Sequence, residues 1–463
     1  MKNNMIIPET VQTVCSKLDN QGYKAYVVGG AVRDQFMGIT PHDFDITTDA
    51  VPSTVAIMFR EPEWRVVGIG ERFGTMLVIQ GGVGLCEVTT FRSDGEYSDS
   101  RHPDQVTFSE SLDEDLSRRD FTINAIAYNP LTEQYRDPYG GINDITNGII
   151  KTVGVPVDRF TEDPLRMIRF ARFKGKFGFN HDDETWRACR NLSHLLLKIP
   201  KERIREEILK ALSDTRVNAV CDFIDALDYT GMLYFIIPEL SRQRFVTQPS
   251  EYHKYDVLTH STLVAELCPP DNVYLRLAGL FHDLGKISMN EEAPYFPGHE
   301  VASEALTRKI MQELKFPTVY IEYVCHLVSR HMDCSNYKNY KTERSIRRYL
   351  SKFGNTELLP DLFTLQRADI NGRGVAREEL LTAIAIFESA SKDVIVSEPS
   401  LTTRDLSVNG HDLMNELGMK PGPLIGEVIE HMLQHVIDHP DDNIKEQLLN
   451  IARLYESNKE VEK

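Results

Sequence analysis

The spacing of hydrophobic positions changes along this chain of 463 residues. Over the first 150 residues, short apolar runs such as YKAYVVGG, WRVVGIG and FGTMLVIQGG are bounded by Gly, Pro or charged residues, a pattern that predicts strands. From about residue 160, apolar positions recur at helical spacing, as in EDPLRMIRFARFKGKF and KERIREEILKALSD. The pattern therefore predicts an α+β fold in which a head with a small mixed sheet precedes an almost wholly helical remainder.

Interruptions in these patterns divide the chain into four predicted domains. Residues 240–258 are polar and have no clear period, and a second loop-like stretch, EPSLTT, precedes the last helical segments. A chain of this length is also too long for one hydrophobic core. We predict a head at 1–150, a helical neck at 151–240, a helical third domain at 241–390 and a helical C-terminal module at 391–463.

Composition limits the class of protein and its compartment. Apolar residues make up 41% of the chain, and 52 Lys and Arg stand against 69 Asp and Glu. The net charge of −17 argues against a protein that coats nucleic acid indiscriminately, so any nucleic-acid site must be local. Seven cysteines without a C-x-x-C pair favour free thiols in a reducing, cytoplasmic environment. We expect no membrane partner, because no segment approaches a membrane span and the N-terminus lacks the apolar core of a signal peptide.

The segment VVGGAVRDQFMGITPHDFDI, residues 27–46, carries the first chemistry. Gly29 and Gly30 follow an apolar strand and precede a helix-compatible stretch. Without side chains, they let the backbone approach a triphosphate and present N–H groups to it. Arg33 would add positive charge there, although a plain tight turn also explains a glycine pair.

Three acidic residues are the predicted catalytic carboxylates. Asp43 and Asp45 lie two apart in strand-like sequence, so both face one side while Phe44 packs into the core. Two like charges need a cation, and Mg²⁺ suits oxygen ligands and phosphoryl transfer to a 3′-hydroxyl. An exposed polar strand edge is the alternative. Glu87, in LCEVTTFR, is the best-placed third carboxylate on period-two spacing, unless it pairs with Arg92 instead.

Two further motifs suit nucleotide binding. In RRDFTINA, residues 118–125, arginine forks match phosphate and an aspartate accepts from ribose hydroxyls. In EDPLRMIRFARF, residues 162–173, a helix start is predicted that places Asp163 and Arg166 one turn apart on one face. That pair offers a hydrogen-bond acceptor and several hydrogen-bond donors to one ligand. Alternatively, the two residues form a structural salt bridge with each other.

Together these motifs resemble the class II tRNA nucleotidyltransferases (CCA-adding enzymes) and the similar bacterial poly(A) polymerases, in the polymerase β superfamily. GGAVRD at 29–34 and DFDI at 43–46 match the family's phosphate and metal motif, and the likeness covers most of the chain. The resemblance implies a polymerase β-like head that uses Mg²⁺ and adds C, C and A to the tRNA 3′ acceptor end from CTP and ATP. A poly(A) polymerase or A-adding enzyme is the alternative with the same chemistry.

The resemblance also implies roles for individual residues. Asp163 and Arg166 are expected to read the Watson–Crick edge of the incoming base and to accept C or A. The other residues that we predict to bind the nucleotide, from their chemistry or from the resemblance, are Gly29, Gly30, Arg33, Arg118, Arg119, Asp120, Asn124, Arg169 and Arg172.

Two segments are expected to serve the RNA substrate. The polar stretch 91–108 lacks a period and predicts a mobile loop, which in the family permits the switch from C to A addition. Double-stranded RNA is read mainly by shape through its phosphates and 2′-hydroxyls. Positive charge for these contacts is predicted at Lys174, Lys176, Lys201, Arg203 and Arg205.

Histidines and aspartates in the third domain form a second constellation around FHDLGK, residues 281–286. It resembles the HD superfamily of metal-dependent phosphohydrolases, whose helices bring such ligands to one cation. The positions that match in order are His260, His282, Asp283, His299, His331 and Asp369.

This second resemblance implies a transition metal, such as Ni, Mn, Co or Fe, with an open position for a hydrolytic water. The implied substrates are 2′,3′-cyclic phosphates and terminal phosphates on RNA. Two alternatives remain open: an HD fold kept as a helical scaffold for the tRNA body, and an HD phosphohydrolase whose transferase head is inactive.

Overall fold

The structure, a computed structural model, describes residues 5–41, 43–70, 73–81, 84–94, 106–288, 296–397 and 401–461. Contacts between Cα atoms divide the chain into two compact units. Unit 1 comprises Met1–Gln243 and Ile310–Pro317, and unit 2 comprises Arg244–Lys309 and Thr318–Lys463. The finer division into four domains remains a prediction.

Unit 1 contains the mixed sheet that the apolar runs of the first 150 residues predict. The strands are β1 (Ala25–Val28), β2 (Asp45–Thr48), β3 (Trp64–Gly70), β4 (Thr75–Gln80), β5 (Gly84–Thr90), β6 (Arg92–Asp94), β7 (Val106–Phe108), β8 (Ala127–Asn129), β9 (Gln134–Arg136), β10 (Ile149–Ile150) and β11 (Asn180–His181). Seven of them form one sheet in the order β3-β4-β5-β2-β1-β8-β9. Strands β2 and β5 run parallel, and the other neighbours in this sheet are antiparallel.

The segment 91–108 differs from the predicted loop at both of its ends. Strands β6 and β7 pair in antiparallel register there, with Arg92 opposite Phe108. Such a ladder is built from backbone hydrogen bonds, so a polar segment forms it without an apolar alternation. Residues 95–105 of the predicted loop lie outside the described residues.

Helices fill the rest of unit 1, as the helical spacing predicts. They are α1 (Glu9–Asn20), α2 (Gly30–Phe36), α3 (Pro52–Met58), α4 (Leu112–Ser117), α5 (Gly141–Asn147), α6 (Pro156–Glu162), α7 (Leu165–Phe177), α8 (Asp183–Leu192), α9 (Lys201–Leu212), α10 (Ala219–Tyr229), α11 (Met232–Ile236) and α12 (Pro238–Arg242). A Cβ on Gly175 of α7 would lie 2.6 Å from the carbonyl oxygen of Ala219. Glycine is therefore needed where α7 packs against α10.

Within its described residues, unit 2 contains helices joined by loops and no strand. Its helices are α13 (Val257–Leu267), α14 (Val273–Phe281), α15 (His299–Glu313), α16 (Thr318–Arg330), α17 (Glu343–Phe353), α18 (Leu359–Gly372), α19 (Glu378–Ser397), α20 (Gly410–Leu417), α21 (Pro423–Asp438) and α22 (Lys445–Val461). The last residues of α15 belong to unit 1. Helices α20 to α22 enclose a hydrophobic cluster of their own that includes Val408, Met432 and Leu448. No helix in the described ranges is long and apolar enough to cross a membrane.

Candidate active site and metal centre

The glycine turn between β1 and α2 lies against a carboxylate and an arginine. Gly29 has φ +74° and ψ −130°, a backbone conformation that residues with a Cβ rarely adopt. A Cβ there would lie 3.1 Å from Nη1 of Arg119 and 3.6 Å from Oδ2 of Asp45. The predicted turn from strand to helix is confirmed, and its glycine is required by both conformation and space.

Three carboxylates share the face next to this turn. Asp43 and Asp45 are exposed while Phe44 is buried, although Asp43 precedes β2 and does not lie within it. Glu87 of β5 is also exposed and is the register partner of Asp45. Register partners in neighbouring strands project to the same side of a sheet. The structure therefore brings together the three carboxylates that we predicted.

The negative charges of these three carboxylates repel one another. Although Asp45 is exposed as a residue, nearby protein atoms keep water from part of its carboxyl group and so raise its pKa, an effect that Arg119 opposes and Asp43 reinforces. The same loss of water raises the pKa of Glu87, and the charges of Asp45 and Asp43 raise it further. Oxygen ligands that repel one another yet remain open to water fit a hard divalent cation such as Mg²⁺.

Asp115, which the sequence analysis missed, holds two of the predicted nucleotide-binding arginines. It is fully buried in α4, and its Oδ1 accepts from Nη2 of Arg118 at 2.7 Å while its Oδ2 accepts from Nη2 of Arg119 at 3.3 Å. Burial works to raise the pKa of Asp115, but Arg119 and Arg118 outweigh it and hold that pKa below its usual range. The sequence signal that could have found Asp115 is its spacing, because an acid three positions before one arginine and four before the next can pair with both on a helix.

We had expected Asp120 to offer a free carboxylate to a ribose. Its carboxylate instead accepts hydrogen bonds from other residues of the protein. Its Oδ1 accepts from Nδ2 of Asn124 at 2.9 Å, and its Oδ2 accepts from Nη2 of Arg169 at 2.6 Å. Asn124 in turn accepts from Nη1 of Arg33 at 2.5 Å. Burial works to raise the pKa of Asp120, but Arg169 and Asn124 hold it well below its usual range. Asp120 and Asn124 thus position Arg33 and Arg169.

A second buried acid, Glu207 of α9, extends this network. Its Oε2 accepts from Nε of Arg172 at 2.6 Å, and Nη1 of Arg169 lies 4.0 Å from its Oε1. The guanidinium of Arg172 also lies over the ring of Phe173, 4.5 Å from its centroid. Glu207 was not singled out in the sequence, because its partners lie on another helix.

Asp163 lies between two helices and not within one. A residue before proline disfavours helical backbone, and Asp163, before Pro164, is extended at φ −138° and ψ 98°. The predicted helical face shared by Asp163 and Arg166 is therefore wrong. The Asp163 carboxylate instead accepts from Nη2 of Arg203 at 3.0 Å and from Nη1 at 3.3 Å.

Arg166 is held separately in the first turn of α7. It is 8% exposed, and its Nη1 donates to Oε2 of Glu162 at 3.0 Å. Its Nη2 donates to the carbonyl oxygen of Arg118, also at 3.0 Å. Arg166 therefore ties the helical segment to the RRD motif.

Some of the basic residues predicted to bind RNA make contacts inside unit 1. Arg203 binds Asp163, Nζ of Lys174 donates to the carbonyl oxygen of Phe179 at 3.0 Å, and Arg205 donates to a backbone carbonyl. RNA contact by the five basic residues stays a prediction.

Unit 2 brings together the six residues of the second constellation. Each of them is at most 4% exposed. His260 lies in α13, His299 begins α15 and Asp369 lies in α18. His282 and Asp283 directly follow α14, and His331 directly follows α16.

The imidazoles of this cluster are oriented as metal ligands are. His282, His299 and His331 each place Nδ1 2.7 Å from the backbone carbonyl three residues earlier, so Nδ1 carries the proton and Nε2 a lone pair. Nε2 of His282 lies 3.2 Å from Nε2 of His260, and Nε2 of His299 lies 3.1 Å from Nε2 of His331. Burial, with His282 and His299, lowers the pKa of His331 to about 3. Rings whose Nε2 atoms converge in this way fit a transition metal.

The resemblance implied that all six residues converge on one cation. The structure instead shows two groups of possible ligands, and Asp283 belongs to both. His260, His282 and Asp283 form one group, and Asp283, His299 and His331 form the other. Oδ2 of Asp283 lies 3.2 Å from Nε2 of His282, whereas Oδ1 lies 3.1 Å from Nε2 of His299. Oδ1 of Asp369 adds to the first group, 3.1 Å from Nε2 of His260. The donors therefore suit two neighbouring cations.

Comparisons with known proteins cover most of the chain. Residues 25–151 match the family model described as poly A polymerase head domain. Residues 178–243 match the one described as a probable RNA and SrmB-binding site of polymerase A. Residues 300–452 match the one described as tRNA nucleotidyltransferase domain 2, putative.

Curated relatives and a solved structure agree with these matches. The CCA-adding enzyme of Anoxybacillus flavithermus (strain DSM 21510 / WK1) is 32% identical over 438 residues, 94% of each chain. That of Ligilactobacillus salivarius (strain UCC118) is 30% identical over 449 residues, 95% of each chain. The crystal structure of the Bacillus stearothermophilus CCA-adding enzyme in complex with CTP superimposes with a TM-score of 0.73 at 25% identity, over 99% of this chain and 100% of that one. The chain therefore belongs to the class II CCA-adding enzyme and poly(A) polymerase family and is a nucleotidyltransferase.

Proposed function

We propose that this enzyme adds C, C and A to the 3′ acceptor end of tRNA from CTP and ATP without a nucleic-acid template. The observation that carries the proposal is the exposed face of Asp43, Asp45 and Glu87 beside the Gly29 turn. The names of the similar proteins, CCA-adding enzymes, support the same product.

Each part of unit 1 has a task in this reaction. Mg²⁺ held by Asp43, Asp45 and Glu87 would favour ionisation of the tRNA 3′-hydroxyl and neutralise the departing pyrophosphate. The backbone at Gly29 and Gly30, with Arg119 beside it, binds the triphosphate.

Base selection falls to the junction of α6 and α7. The Asp163 carboxylate accepts from an amino group of the base, and Arg166 donates to its ring nitrogen or carbonyl. Arg203 orients Asp163, and Asp120 and Glu207 orient the arginines around the nucleotide.

One assay tests the product. The protein is incubated with Mg²⁺ and a tRNA that lacks its last three nucleotides, with CTP and ATP offered singly and together, and the products are sequenced. We expect addition of C, C and A. Long runs of A alone would instead assign a poly(A) polymerase or A-adding enzyme, and no incorporation would contradict the transferase function and favour an HD phosphohydrolase with an inactive head.

We further propose that unit 2 carries an HD-type metal phosphohydrolase that acts on 2′,3′-cyclic or terminal phosphates of RNA. The Nδ1–carbonyl contacts of His282, His299 and His331 support it, because they leave Nε2 of each ring free for a metal. Ni, Mn, Co or Fe bound there would supply an activated water. The alternative is a helical scaffold for the tRNA body, which needs no such orientation.

Two variants test whether the transferase and hydrolase activities are independent. Asp43→Ala should abolish nucleotide incorporation and leave hydrolysis of a 2′,3′-cyclic phosphate intact, and His282→Ala should do the reverse. Loss of both activities in a folded variant would show that the sites are not independent. Normal hydrolysis by His282→Ala would leave the scaffold as the role of unit 2.

We propose that the head spans 1–150, the neck 151–240, the HD domain 241–390 and the C-terminal module 391–463. We also place the enzyme in the cytoplasm, which is consistent with its seven free cysteines.

A further inference from the structure

The metal ligands of unit 2 lie on a cleft of about 650 Å³ whose two ends differ in charge. This volume is within the range of sites that enclose a whole small molecule. Lys286 and Arg373 line the cleft beside the group that contains His260 and His282. Glu300 and Asp333 line it beside His299 and His331.

The basic end is built into the site. Lys286 is 7% exposed, and its Nζ donates to Oδ2 of Asp283 at 2.6 Å and to Oε1 of Gln248 at 2.9 Å. Arg373 donates to Asp369 from Nε at 3.3 Å and from Nη2 at 2.6 Å. Each cation thus contacts a carboxylate of the first metal group.

Both cations keep donors for a ligand. An ammonium has three N–H groups and a guanidinium five. The Lys286 ammonium also lies over the ring of Phe296, 5.6 Å from its centroid, a contact that takes up no oxygen acceptor. Within the described part of the chain, no oxygen accepts from the third hydrogen of Lys286 or from the Nη1 group of Arg373. When a metal cation balances Asp283 and Asp369, the charges of Lys286 and Arg373 are left for an anion in the cleft.

The acidic end offers acceptors. Oε2 of Glu300 lies 3.8 Å from Nδ1 of His299, and Oδ2 of Asp333 accepts from the Tyr349 hydroxyl at 3.0 Å. Arg330 also lines the cleft and partly offsets Asp333, although its Nη2 donates to the carbonyl oxygen of Lys352 at 3.2 Å. Carboxylates accept hydrogen bonds from hydroxyl groups and repel a second phosphate.

We propose that the cleft binds its substrate in one orientation, with a phosphate on Lys286 and Arg373 and the uncharged, hydroxyl-bearing part toward Glu300 and Asp333. The cleft consequently prefers ligands with a single phosphate group over pyrophosphates. This inference rests on the proposed phosphohydrolase function, since it names the substrate class and the specificity residues of that same site.

Calorimetric titration of inorganic phosphate into the full-length protein with Mn²⁺ tests the basic end. We expect Arg373→Gln and Lys286→Gln each to weaken phosphate binding by about tenfold or more, and Arg373→Lys to retain most of it. Arg367→Gln is the matched control, because Arg367 lies in α18, which ends just before Arg373, and pairs with Glu388 away from the cleft. Unchanged affinity in both Gln variants, or no binding by the wild type, would overturn the inference.

Pyrophosphate tests the acidic end. Glu300→Gln should raise pyrophosphate affinity by about threefold to tenfold and leave phosphate affinity within about twofold, because the lost charge repels only the second phosphate. Glu304→Gln, one turn further along α15 and not on the cleft, should change neither. Equal changes for both anions, or none, would overturn the orientation.

Failure of the hydrolase proposal and failure of the proposed substrate orientation give different results. If the protein holds no transition metal and hydrolyses no phosphomonoester, but Arg373→Gln still weakens phosphate binding, the hydrolase proposal is wrong and the phosphate site stands. If hydrolysis is normal and the charge variants bind both anions as the wild type does, the hydrolase proposal stands and the orientation is wrong.

Discussion

Glu87 stands opposite Asp45 in the parallel register of β2 and β5. Because the two carboxylates project to the same side of the sheet, each raises the cost of ionising the other, and Asp43 adds a third charge. The pairing places Glu87 on the same face of the sheet as Asp45, where we propose that Mg²⁺ binds.

Glu87→Gln should lower the rate of CMP and AMP incorporation by about 100-fold or more, because an amide of the same shape removes one charge from the metal site. The measurement is single-turnover extension of tRNA at saturating Mg²⁺. Glu110→Gln, an exposed acid in the same unit, is the control and should extend tRNA normally. Full activity in Glu87→Gln would remove Glu87 from the catalytic set.

The Mg²⁺ requirement should increase as the pH falls. The folded-state pKa values of Asp45 and Glu87 are raised, so protons compete with the metal at pH values where ordinary carboxylates are ionised. The Mg²⁺ concentration for half-maximal activity should be several-fold higher near pH 6 than near pH 8. A requirement that is independent of pH would contradict this coupling.

The same raised pKa values affect stability. A carboxyl group with a raised folded-state pKa lowers the free energy of unfolding as the pH rises from its unfolded to its folded pKa. Mg²⁺, which binds the ionised form, should restore that loss. Thermal unfolding above pH 7 should therefore shift to higher temperature with Mg²⁺, and the shift should be smaller in Asp45→Asn.

Arg203→Ala should relax base selection more than it slows catalysis. Without the two contacts from Arg203, only the backbone N–H of Leu165 holds the Asp163 carboxylate, at 3.1 Å. The carboxylate is then less firmly oriented, so GMP and UMP incorporation should rise about tenfold relative to CMP. Arg203→Lys keeps the charge but loses the fork and should be intermediate. Arg187→Ala, which removes an exposed arginine, should leave fidelity unchanged, and unchanged fidelity in Arg203→Ala would separate Arg203 from base selection.

Metal content distinguishes two cation sites in unit 2 from one. After dialysis against Mn²⁺ or Ni²⁺, we expect two ions per chain in this unit, one fewer in His331→Ala, and none in Asp283→Asn, because Asp283 belongs to both groups. His326→Ala is the control, since His326 lies five positions before His331 and its ring packs on Phe353 outside both groups. Elemental analysis that finds a single ion in the wild type would contradict the paired arrangement.

The sequence by itself determined the local features of both sites. A strand that ends in two glycines, an alternation that exposes Asp43 and Asp45 around buried Phe44, and the helical spacing beyond residue 160 all appear in the structure. These features depend on neighbours within a few positions, which a linear pattern records. Glu87 was also chosen in this way, because period two places alternate residues on one face, and it is the register partner of Asp45; its catalytic role stays a prediction.

Only the tertiary structure decided which partners hold these groups. Arg203 meets Asp163 from a helix 40 positions away in sequence, and Glu207 meets Arg172 in the same way. Pro164 separated Asp163 from the helix of Arg166, a local effect that the helical spacing concealed. The two ligand groups around Asp283, and the opposite charges beside them, exist only because distant helices converge, and such pairing depends on packing and not on spacing along the chain.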